Sequence, residues 1–203
     1  MKKILLFACV VVFASCANKK DSSIIVKESF DPIAVNLNDS AVNILRQERL
    51  NGMTDSIVNK CFALLDSSII VDPHYVIAYI NKIGLQKELR QYKDAIITTK
   101  ELLSIKNAPE YIVELGILHQ LTGDVESAQK DYNDAFEEFT ERIKSGYATS
   151  ADTMNLFFVD YLLNGKSQTL RDVKSISKSN PNIDYYIDFF ENINHDKLLD
   201  MKK

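Results

Sequence analysis

From Ala41 to the end of the chain, apolar residues return every three or four positions, the spacing that puts them on one side of an α-helix. This pattern predicts a first helix over residues 41–50, opened by Asp39 or Ser40 and closed by Asn51-Gly52, where glycine takes a left-handed conformation without steric cost. A second helix over 55–71 places Ile57, Val58, Cys61, Leu64, Leu65 and Ser68 on one face. Asp72-Pro73 then closes it and opens the next, with Asp72 as cap and Pro73 at the first helical position, where its missing donor costs nothing. Helices over 75–88 and 91–105 follow, their buried sides marked by Tyr79, Ile83, Tyr92, Ala95, Ile96, Leu102 and Leu103. The pattern repeats over 109–121 and 125–144, and again over 151–163 and 167–179 around Asn164-Gly165, with a stop at Pro181. A last helix over 183–193 collects Ile183, Tyr186, Ile187, Phe190 and Ile193 on one side.

The segment 109–138 reads PEYIVELGILHQLTGDVESAQKDYNDAFEE. Its small residues Gly116, Ala128 and Ala135 sit where two antiparallel helices must touch, and Gly123-Asp124 sits where the chain must turn. In these features it resembles one tetratricopeptide repeat. Cys61, Ala95 and Ala128 recur near the period of about 34 residues of that family, and Asp72-Pro73 is similar to its usual repeat boundary. A third hairpin is shifted, with Phe158 and Leu170 in place of small residues, and resembles a degenerate repeat.

The resemblance implies an all-α fold: a short right-handed superhelix of antiparallel helix hairpins with a C-terminal capping helix. Such units bury their faces only by stacking. It also implies a concave face lined by the first helix of each hairpin, where Ile80, Lys87, Glu110, Val113, Ile117, Gln120, Asn155 and Val159 are the candidate partner-binding residues. This lining is largely apolar, and Lys87 alone matches the cations that family members use to clamp a carboxyl terminus. An extended or helical segment with apolar anchors is therefore the expected ligand. The same side chains could instead pack against a neighbouring helix or the terminal cap.

The start of the chain is of another kind. Lys2 and Lys3 precede an apolar run over 4–14, too short for the roughly 20 residues of a membrane span but suited to a signal peptide. Phe13-Ala14-Ser15-Cys16 resembles the lipobox of bacterial lipoproteins, departing from it at Phe13, where leucine is usual. This implies a signal peptide over 1–15, lipidation at Cys16, a tether over 16–38 and a helical domain over 39–203. Ala17, rather than aspartate, follows the cysteine, which by resemblance implies the outer membrane, with the protein facing the periplasm.

The chain's 203 residues are 46% hydrophobic and 26% charged, ordinary for a folded protein. A formal charge of −4, more negative once Lys2 and Lys3 are removed, argues against a nucleic-acid partner, which needs a basic footprint. Cys9 lies in the leader and Cys16 would carry lipid, so Cys61 has no disulfide partner and its apolar stripe assigns it to the core. His74, His119 and His195 have no ligand-spaced companion, so no metal is expected, and His119 reads as a packed imidazole. Gly165-Lys166-Ser167 lacks the earlier glycine of a phosphate loop, since position 160 is Asp160. Glu137, Glu138 and Glu141 read as a solvated face, and no nucleophile is paired with a base.

The expected function is therefore non-catalytic and cofactor-free: a membrane-anchored scaffold for a protein or peptide. A toxin-neutralising immunity lipoprotein and a glycan-binding accessory lipoprotein are the alternatives, the latter disfavoured by the absence of tryptophan. Near the C-terminus, Tyr186 and Phe190 fit the buried side of the last helix. Tyr185 and Phe189 form an adjacent stripe, expected in the core; if exposed, it would be the best candidate for a partner contact.

Overall fold

The structure, a computed structural model, describes residues 29–146, 148–177 and 184–193. The leader, Cys16, the tether up to residue 28, Pro181, Ile183 and His195 lie outside them. The described residues form nine α-helices and no strand, in two compact units that divide at Ala108.

In the unit before Ala108, α1 (Pro32–Asn51), α2 (Asp55–Val71), α3 (Val76–Glu88) and α4 (Tyr92–Ile105) run in order. α1 begins at Pro32, well before the expected Ala41. Asp31 accepts a hydrogen bond from the Ile33 N–H at 2.7 Å, and Pro32 occupies the first turn, a combination worth roughly 1 kcal/mol. Ser40, expected at a helix start, lies inside α1 with its hydroxyl donating to the Asn36 carbonyl at 2.8 Å. The helix ends as expected at Gly52, with φ of 101°. Asp72-Pro73 differs from expectation in the opposite sense. It forms a turn, with Asp72 Oδ1 accepting from the His74 N–H at 3.0 Å, and α3 starts only at Val76.

α1 and α2 approach closely because the side chains between them are small. Ala34, Ala41, Cys61 and Ser68 are all 0% exposed. The Ser68 hydroxyl donates to the Ala34 carbonyl at 2.7 Å, crossing from α2 to α1. Ala41, Leu45, Cys61, Leu65 and Leu85 form one cluster, bringing α3 onto the pair. Around the rim, Arg49 pairs with Glu88 at 2.6 Å, Lys82 with Asp66 at 2.7 Å, and the Asn81 amide donates to Asn38 at 2.7 Å. α3 and α4 form a hairpin whose turn places Arg90 at φ of 58°.

The second unit holds α5 (Pro109–Leu121), α6 (Val125–Lys144), α7 (Ser150–Asn164), α8 (Lys166–Ser177) and α9 (Asp184–Asn192). α5 and α6 make the expected hairpin at Gly123, whose φ is 83°, and Asp124 caps α6 by accepting from the Ser127 N–H at 3.1 Å. α7 packs on α6, α8 on α7 and α9 on α8. Ala128, Tyr132, Ala135 and Phe139 of α6 meet Phe157, Phe158, Val159 and Tyr161 of α7 in one core, which Val173 and then Tyr186 and Phe190 close. The last two rings lie 5.7 Å from Phe157 and 5.9 Å from Tyr161, respectively. Tilted and stacked rings at such distances add to plain burial. The Tyr186 hydroxyl donates to the Ser150 carbonyl at 2.8 Å, tying α9 to the start of α7.

Candidate functional site

Gly116 sits at the tightest helix contact in the chain's glycine set. A Cβ there would lie 2.6 Å from Cε1 of Tyr132 and 3.2 Å from Cβ of Asp131. The expected close approach of α5 and α6 is thus present, and what fills it is the Tyr132 ring. The Tyr132 hydroxyl in turn donates to Gln120 Oε1 at 2.6 Å, returning to α5.

Of the eight candidate lining residues, four are not surface at all. Val113, Ile117 and Val159 are 2%, 1% and 0% exposed and belong to one core cluster, and Asn155 is 3% exposed. Packing of this kind corrects the expectation that they face a ligand: helical periodicity marks a side as apolar without saying whether a partner or the next helix covers it. Ile80, Lys87, Glu110 and Gln120 remain half-buried. Glu110 is occupied by Arg142 at 2.8 Å and Gln120 by Tyr132.

Two polar arrangements occupy the second unit. In the first, Arg142 of α6 bridges Glu110 of α5 and Asp152 of α7, each at 2.8 Å. Asp152 also closes a capping box with Thr149. It accepts from the Thr149 N–H at 2.7 Å and hydroxyl at 2.8 Å, while its own N–H donates to Thr149 Oγ1 at 3.2 Å. Burial by itself would raise the Asp152 carboxyl; the Thr149 donors and the Arg142 guanidinium outweigh it and hold the group below the ordinary carboxylate range. Three helices are thereby joined at one guanidinium. The capping signal, threonine with a carboxylate three residues on, was readable at Thr149 and Asp152; Arg142, acting across long separations, gave no such sign.

In the second arrangement, His119 Nδ1 lies 2.6 Å from Asp131 Oδ2, linking α5 to α6 inside the hairpin. Burial pushes the Asp131 carboxyl up, against the opposing pull of the His119 ring. A histidine oriented by an aspartate is two parts of a general-base assembly, but among the described residues no hydroxyl or thiol is hydrogen-bonded to that ring. The pair is a buried cross-link, which agrees with the packed imidazole read from the sequence. Among the described residues there is also no group of three or more His, Cys, Asp or Glu side chains placed to hold a metal, and no helix long and apolar enough to cross a membrane.

An open aromatic surface lies on α9. Tyr185 and Phe189 are 57% and 38% exposed, against the expectation that they join the core. Tyr186 and Phe190 already fill the space beneath the helix, and no neighbour among the described helices covers the adjacent stripe. No known family's sequence model matches the chain, and no curated protein matches it.

Proposed function

We propose that the chain is a lipid-anchored, non-catalytic scaffold that binds a protein or peptide in a bacterial envelope. Its helices would form a short tetratricopeptide-like superhelix, with α9 as the terminal cap. The observation that carries this reading is the α5–α6 hairpin, where a Cβ at Gly116 would come within 2.6 Å of the Tyr132 ring. A glycine is needed at that position only if the two helices pack as closely as repeat hairpins do. Successive packing of α5 on α6, α6 on α7 and α7 on α8 supports it as well. The lipid anchor at Cys16, the outer-membrane position and the periplasmic orientation rest on the leader and lipobox-like residues.

Two measurements test the proposal. Expression in a bacterial host with a clickable fatty-acid label should mark the wild type and leave Cys16→Ala unlabelled. Chemical cross-linking of envelopes, followed by capture, should return a discrete partner protein. Equal labelling of both forms would remove the anchor from the reading. A purified chain that turned over a substrate and captured no partner would overturn the scaffold.

A further inference from the structure

The packing of α9 sorts its side chains into two sets. Tyr186 and Phe190 are 1% and 0% exposed, so Tyr185 and Phe189, each one position earlier, are turned outward. Four residues apart on a helix, the two exposed rings share one stripe. Each leans on its buried neighbour, with centroids 4.0 Å apart for Tyr185 and Tyr186 and 5.0 Å for Phe189 and Phe190. They are therefore braced, and little freedom is lost when a partner covers them.

Asp184 and Asp188 stand beside this stripe at the same four-residue spacing, both exposed. Asp188 accepts a hydrogen bond from the Asn192 amide at 3.0 Å, yet neither carboxylate is ion-paired with any described residue. Glu191 of the same helix is matched instead, by Lys174 at 2.8 Å. Among the described residues, the helix thus satisfies the acid next to α8 and leaves without an ion-pair partner the two that border the aromatic rings.

We propose, deepening the scaffold reading on which this rests, that the Tyr185–Phe189 stripe docks a cationic segment of a partner protein. That segment would present arginine or lysine next to an apolar side chain. Three features select this occupant. A guanidinium or ammonium over an aromatic face, within about 6 Å of its centre, is attracted by the ring itself. The adjacent carboxylates supply an ion pair to the same cation, and partial coverage by the apolar neighbour strengthens both attractions. A wholly apolar partner would bury Asp184 and Asp188 unpaired, and an acidic partner or an anionic lipid surface would be repelled by them.

The test uses the full chain in detergent micelles and two fluorescent peptides of equal length, one alternating arginine with leucine and one alternating glutamate with leucine. The arginine peptide should bind the wild type, and the glutamate peptide should not. Asp184→Asn with Asp188→Asn should weaken arginine-peptide binding at least fivefold and flatten its salt dependence. Tyr185→Ala with Phe189→Ala should weaken it tenfold or more. Glu137→Gln with Glu138→Gln, on the exposed face of α6, should leave it unchanged. Helical circular dichroism and thermal melting confirm that each variant is folded. If the α6 pair weakens binding as much as the α9 pair, the attraction is general acidity and the assignment falls. It falls equally if the glutamate peptide or phosphatidylglycerol vesicles bind as tightly as the arginine peptide. Should the α9 variants behave as wild type while envelope capture still returns a partner, the scaffold stands and only this docking face is lost.

Discussion

Tyr132 lies across Gly116 so closely that one added carbon would come within 2.6 Å of its ring, well inside van der Waals contact. The ring cannot swing aside at low cost, because its hydroxyl is held by Gln120 at 2.6 Å. Gly116→Ala should therefore destabilise the chain by about 1–2 kcal/mol. Overpacking of roughly 1–3 kcal/mol outweighs the backbone gain of roughly 0.5–1 kcal/mol that alanine normally brings to a helix. Gly84→Ala is the matched control. Nothing lies within 4 Å of a Cβ at Gly84 in α3, so that substitution should stabilise. Urea midpoints with unchanged slopes would check both signs, and a gain from Gly116→Ala would refute the tight hairpin.

Arg142→Met keeps the aliphatic stem but removes the donors that serve Glu110 and Asp152. Hydrogen bonds to charged groups contribute about 1.5–3 kcal/mol, so a loss of about 2 kcal/mol is expected. Adding Asp152→Asn to this background should cost less than it does in the wild type, since the buried carboxylate has already lost its counter-charge. A double-mutant cycle in urea measures that coupling, and strict additivity would show that the bridge contributes nothing.

Asp152 and Asp131 should give opposite pH slopes. The Asp152 carboxyl is held below its unfolded value of about 3.9. Its contribution is present above that value and lost as pH falls through the folded one. The Asp131 carboxyl is raised, so its contribution is present below about 3.9 and lost as pH rises through the folded value. The cost of Asp152→Asn should therefore grow with rising pH across the carboxylate range, while that of Asp131→Asn should shrink. Unfolding free energies from about pH 3 to about pH 7 test this, and slopes of the same sign for both variants would contradict it.

Cys61 should be inert in the folded protein. It is 0% exposed, with its sulfur 3.9 Å from the Ala41 carbonyl, and burial raises its thiol further from the reactive thiolate. In a Cys9→Ser, Cys16→Ser background, an aromatic disulfide reagent should label it on the order of 100-fold more slowly in buffer than in urea, as local opening becomes limiting. Comparable rates would place it outside the α1–α2 contact.

Helices α2, α5 and α6 were legible to the residue, because their ends carry chemical signals: Val71 before an aspartate, Pro109 at a first turn, Gly123 in a left-handed turn. The two Asp-Pro pairs show where such reading stops. Asp31-Pro32 opens a helix and Asp72-Pro73 makes a turn three residues before one. Both dipeptides permit either outcome, and the tertiary contacts decide. The same limit governed the proposed lining. Val113 and Val159 have the right spacing for a groove, yet spacing is equally satisfied by the single core that buries them both. Tyr185 and Phe189 failed in the reverse direction, apolar by type but left outside because Tyr186 and Phe190 had filled the space. Arg142 could not be found by local reading, since its two carboxylate partners come from different helices.

Asp72 is more than the end of α2. While one of its oxygens holds the turn at His74, the other accepts the Asp31 N–H at 3.0 Å, at the N-cap of α1. The Asp31 N–H, one residue before the first turn of α1, is thereby tied to the α2–α3 corner. A pull on the N-terminal side of Asp31 would load this exposed hydrogen bond before it reached the first turn of α1.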